Sequence, residues 1–130
     1  MVSEWEIYRG GETKPRNKSF AITINRDFVL KMNRYARGML GNPDAVLLMF
    51  DRAENVIGVA PTPAADPDGF KIKVKGEISY VVHTAPFCRH HGIFFESTEQ
   101  FAMPGLTREG YLTLDLKNTR VVSRRKKPRL

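Results

Sequence analysis

The chain is expected to be mostly β with short helices, built as two tandem β-hairpin–helix–β-hairpin repeats. Three observations point there. Strand-like segments open both halves, Phe20-Ala21-Ile22-Thr23-Ile24 and Phe70-Lys71-Ile72-Lys73-Val74, each alternating large apolar with small or polar residues. Each half continues with a turn, a return strand and a short segment with helix-start and helix-stop signals, closed by Gly41 or Gly92. Between the halves stands Pro61-Thr62-Pro63-Ala64-Ala65-Asp66-Pro67-Asp68-Gly69, whose three prolines and glycine make a linker or stiff loop.

In repeat 1 (20–60), Asn25-Arg26-Asp27 has turn composition, and Phe28 to Met32 reads as the return strand. Asn33 can cap a helix over Arg34 to Leu40, because its side-chain oxygen can accept from the first free N–H groups. Gly41 suits the left-handed position just past a helix end. Val46 to Phe50 is a continuous apolar strand, Asp51 to Asn55 a turn, and Val56 to Ala60 another strand. In repeat 2 (70–117), Lys75-Gly76-Glu77 turns and Ile78 to Val82 returns. Thr84 can cap a helix over Ala85 to His91, with Pro86 in the first turn, where its missing N–H costs nothing. Gln100 to Met103 is a weak strand broken by Pro104-Gly105, Thr107 to Gly110 turns, and Tyr111 to Leu116 is a clear strand. The order of signals matches at an offset that drifts from 50 to 55 residues, the pattern of an internal duplication. Residues 1–19 read as an N-terminal arm, 61–69 as the linker and 118–130 as a basic tail, with both repeats forming one domain.

Bulk properties narrow the function. No apolar run approaches the roughly 20 residues that span a bilayer, and no signal peptide opens the chain, so no membrane partner is expected. With a single cysteine, Cys88, a cytoplasmic location is expected. The net charge is +7, but six of the excess charges are Arg120, Arg124, Arg125, Lys126, Lys127 and Arg129. The body from Phe20 to Thr119 holds 11 basic and 11 acidic residues and is neutral.

Several short motifs resemble the AbrB-type swapped-hairpin domain of bacterial transition-state regulators and antitoxins. They are the turn Val74-Lys75-Gly76-Glu77-Ile78 and the pair Leu40-Gly41 followed by Asp44-Ala45-Val46. The resemblance covers about 18–60 and 70–116. It implies that the two repeats interlace their hairpins into a pseudo-twofold barrel, as duplicated members do. It also implies that the first hairpin and helix face double-stranded DNA.

That region carries Arg26, Lys31, Arg34 and Arg37 against Asp27 alone. Such residues can neutralise phosphates, and arginine can read guanine edges; the same set also suits a solvated surface. Lys71, Lys73 and Lys75 lie on the polar face of one strand, as an edge protected by lysines or as a phosphate stripe in which Lys73 assists. Arg124, Arg125, Lys126 and Lys127 can grip nucleic acid without sequence preference or serve only solubility. Trp5 and Tyr8, large apolar groups in a polar arm, are candidate contacts with the body, a partner or a second copy of the chain.

His83, Cys88, His90 and His91 are the only cluster of potential metal ligands, and a closed zinc site lacks a second Cys/His pair. No catalytic residue, metal or cofactor is expected. The sequence thus predicts a non-enzymatic, DNA-binding transcriptional regulator of AbrB type. The alternative is a protein-interaction or oligomerisation module, with a Cys/His enzyme or metal site third.

Overall fold

The computed structural model describes residues 19–76 and 78–122. The sites proposed at Trp5, Tyr8, Arg124, Arg125, Lys126 and Lys127 lie outside the described residues. The elements are β1 (Ile22–Ile24), β2 (Val29–Asn33), α1 (Arg34–Met39), β3 (Ala45–Asp51), β4 (Val56–Thr62), β5 (Phe70–Lys71), β6 (Lys73–Lys75), β7 (Ser79–His83), α2 (Ala85–His91), β8 (Glu99–Phe101), β9 (Gly105–Leu106), β10 (Leu112–Asp115) and β11 (Thr119–Val121). They form a mostly β structure with two helices.

The expected closed barrel is not what these strands make. They form two open antiparallel sheets, one of six strands in the order β11-β8-β1-β2-β7-β6 and one of five in the order β5-β3-β4-β10-β9. The hairpin β1–β2 joins the hairpin β6–β7 through β2–β7, while β3–β4 joins β9–β10 through β4–β10. The chain changes sheets at Ile72, whose N–H donates to the Asp44 carbonyl at 2.9 Å. That crossing divides the single strand expected over 70–74 into β5 and β6, which are outer strands of different sheets. Outer strands of two and three residues offer little ladder for closure.

Two further boundaries move. β4 continues through Pro61 and Thr62, which pair with Val46 and Ala45. The remaining loop is tied by Asp66, whose carboxylate accepts from the Thr62 hydroxyl at 2.5 Å and the Asp68 N–H at 2.8 Å. Thr119–Val121, expected within the basic tail, is the strand β11, paired with β8.

Both sheets feed one core. The six-stranded sheet contributes Ile22, Ile24, Leu30, Met32, Val82 and Phe101, and the five-stranded sheet Val46, Ile57, Val59, Leu112 and Leu114. The period-2 patterning of β1, β2 and β10 puts these side chains on one face and the less buried residues on the other. α1 adds Ala36, and α2 adds Phe87 and Cys88.

Asn33 caps α1 as its residue type predicts. Its Oδ1 accepts from Ala36 N–H at 3.1 Å and Ala21 N–H at 3.3 Å, and its Nδ2 donates to the Ser19 carbonyl at 2.8 Å. One side chain thus fixes both the helix start and the approach to β1. Asn33→Ala is expected to lower the unfolding free energy by about 1–2 kcal/mol, measured by urea denaturation. Gly41 and Gly92 hold φ of +89° and +69° at the helix ends, where a Cβ would be strained.

Thr84 departs from expectation. Its hydroxyl makes no cap bond to α2; it donates to the Phe28 carbonyl at 2.8 Å, which also accepts the Thr84 N–H at 2.9 Å. The first hairpin turn presents that carbonyl because Phe28 adopts φ +65°, a left-handed conformation unusual for a bulky residue. Asn25 supports the turn by accepting from the N–H groups of Asp27 and Val29.

Candidate nucleic-acid interface

Among the described residues, the face of the six-stranded sheet turned away from the core collects cations from distant parts of the sequence. Directly paired residues share a face. Strand register therefore sets a row across all six strands: Arg120, Gln100, Thr23, Lys31, Val81 and Lys73. A neighbouring row holds Asn33, Ser79 and Lys75, and on the other side Val29 pairs with His83. Lys31, Lys73, Lys75, His83 and Arg120 are exposed. Val81 is only 7 % exposed although it lies on this face, and Lys31 and Lys75 line the same hollow. Lysine stems cover such a valine while their ammonium groups stay in water.

Two shallow hollows flank Lys31. One, of about 210 Å³, is lined by Thr23, Asn25, Val29, Lys31, Lys75, Val81 and Thr98. The other, of about 270 Å³, includes Ala21, Thr23, Asn33, Ile78 and Ser79. Among the described residues of these rows there is no aspartate or glutamate, and no phenylalanine, tyrosine or tryptophan.

The structure disperses the cations grouped by sequence. Lys31 and Lys73 come together, each paired with Val81. Arg26 is exposed in the turn before β2, and Arg34 opens α1 beyond the other end of that strand. Arg37 is held in place: its Nε donates to the Pro43 carbonyl at 3.0 Å, its Nη2 pairs with Asp44 at 3.3 Å, and its guanidinium lies 4.7 Å from the Tyr80 ring centroid. It fastens the chain leaving α1. Arg37→Gln is therefore expected to cost about 1–2 kcal/mol of stability in thermal unfolding.

Lys75 joins the interface beside Lys73, with which the sequence grouped it, and Arg120 joins although the sequence set it in the basic tail. The alternation in Lys73-Val74-Lys75 and Thr119-Arg120-Val121 was the available signal. Lys71, two residues before Lys73, belongs to the other sheet.

Among the described residues no three His, Cys, Asp or Glu side chains, those of the Cys/His cluster included, are grouped as they would be to hold an ion. Cys88 is fully buried, and burial pushes its thiol pKa up, opposed by the Thr84 hydroxyl 3.3 Å away. A buried, protonated thiol is a poor nucleophile. No described helix is long and apolar enough to cross a membrane. Compared with protein-family models, curated proteins and solved structures, the chain finds no match.

Proposed function

We propose that the protein binds double-stranded DNA through the face of its six-stranded sheet turned away from the core, as a transcriptional regulator of AbrB type. The observation carrying this reading is the row Arg120, Lys31 and Lys73, an array of cations without a carboxylate among the described residues beside them. Adjacent strands lie about 4.8 Å apart, so Lys31 and Arg120, three strands apart, are separated by about 14 Å. This is close to the roughly 12 Å width of the major groove, which suits contacts with phosphates on facing strands. A duplex fits better than a single strand because the face offers no aromatic platform for unstacked bases. The basic residues after Val122 add contacts without sequence preference.

The AbrB reading includes the internal duplication, and strand register supports it. Thr23 pairs with Lys31, and fifty residues on Lys73 pairs with Val81. Lys31 and Val81 are themselves directly paired, as a twofold between the two hairpins requires. In this proposal the repeats combine as two sheets, with repeat 1 supplying Lys31 and repeat 2 Lys73.

Fluorescence anisotropy with a duplex at rising salt tests the function. A face making about four phosphate contacts gives a slope near −4 for log affinity against log salt. Absence of duplex binding at low salt would reject it. Affinity that rests only on residues 123–130 would reject the sheet face as its seat.

A further inference from the structure

Another recess, of about 380 Å³, lies where the β3–β4 turn meets the segment after α2. Its lining includes Phe50, Arg52, Asn55, His91, Phe94 and Glu99. The Arg52 guanidinium lies 5.3 Å from the Phe50 ring centroid, and its Nη2 is 3.4 Å from His91 Nδ1. His91 is braced by Phe50 and Phe87, whose ring centroids are 5.0 and 4.8 Å from its own. Desolvation, with His90 and Arg52 nearby, holds the His91 pKa below its usual value, so the neutral ring can accept from Arg52.

Arg52 is thereby oriented, yet it makes no salt bridge among the described residues; the cations that do are Arg37 and Lys117. Phe94 presents its ring at the rim, 68 % exposed, with an edge contact to Phe28. Glu99 is fixed by the Thr119 hydroxyl, which donates to Oε1 at 2.7 Å, and its other oxygen can accept a further hydrogen bond.

We propose that this recess binds a small planar aromatic anion, with the anionic group on Arg52 and the ring against Phe50 and Phe94. The volume is in the range of small-molecule sites and suits a ligand of one or two rings. A guanidinium fork matches the two oxygens of a carboxylate and gives charge-assisted bonds. Glu99 disfavours a second anionic group and favours an N–H donor on the ring. The site is separate from the sheet face and does not depend on DNA binding.

Calorimetric titration of the full chain with indole-3-carboxylate and with uncharged indole tests this. The carboxylate is expected to bind at least about tenfold more tightly than indole. Arg52→Gln is expected to remove that advantage and leave indole unchanged, while Phe94→Ala weakens both. Both side chains are exposed, so the variants should keep the wild-type thermal midpoint. Equal binding of the two probes, undiminished carboxylate binding by Arg52→Gln, or no binding at about 10 mM carboxylate would overturn the proposal.

Discussion

Reversing Lys31 and Lys73 together to glutamate is expected to weaken duplex DNA binding roughly hundredfold at moderate salt. Each is exposed and aligned with Arg120 across the sheet. Removing one phosphate contact reduces the steepness of the salt dependence by about one, and a tenfold weakening per site corresponds to about 1.4 kcal/mol. Lys71→Glu is the control. Against Lys73→Glu alone it makes the same charge reversal, two residues away but at the edge of the other sheet, and should change affinity less than about threefold. Anisotropy titrations at several salt concentrations distinguish the two variants. Equal weakening by both would mean that general charge, rather than this face, governs binding. Thermal midpoints should remain within a few degrees, since neither lysine contributes to the core.

The largest stability loss is expected from Leu114→Ala. Leu114 is fully buried in β10, paired with Ile57. With Ile24, Leu30, Cys88 and others it lines a void of only about 10 Å³, at the lower limit for a single water. Side chains from both sheets meet there, so truncation opens a cavity that neither can fill alone. The expected cost is about 3–5 kcal/mol, against a typical domain stability of about 5–15 kcal/mol. Urea denaturation should show a lower midpoint with a nearly unchanged slope. A cost below about 1 kcal/mol would mean that the sheets close over the gap, with a core less rigid than this packing.

Much of the local structure is legible in the sequence because its causes are local. Period-2 alternation marks β1 and β2, and an asparagine followed by helix formers marks the start of α1. Gly41 and Gly92 mark helix ends because the left-handed conformation selects glycine. Thr84 does not follow its residue type because a hydroxyl can cap its own helix or bond elsewhere, and here it bonds the distant Phe28 carbonyl. The strand expected over 70–74 divides for a related reason. Alternation tells that two faces differ, but not which sheet a residue joins, and the chain crosses at Ile72, whose N–H bonds the Asp44 carbonyl.

The candidate interface is only half legible. Arg34 and Arg37 stand beside Lys31 in sequence, yet the strand–helix junction separates them from the sheet face and the α1 exit loop engages Arg37. Arg120 looks like part of a charged tail, since a three-residue strand carries too little periodicity to declare itself beside so many cations.

By itself the sequence determined the chemical supply: both helices and most of the longer strands, most of the helix caps, one core's worth of apolar residues and a neutral body. These follow from side-chain shape and backbone preference over a few residues. Tertiary structure alone decided that two sheets replace a barrel, that Lys31, Lys73 and Arg120 share a face, and that Arg52 comes to His91. Those outcomes depend on pairing between strands far apart in the chain. The register that selects them is set by burying both sheets' apolar faces in the same core.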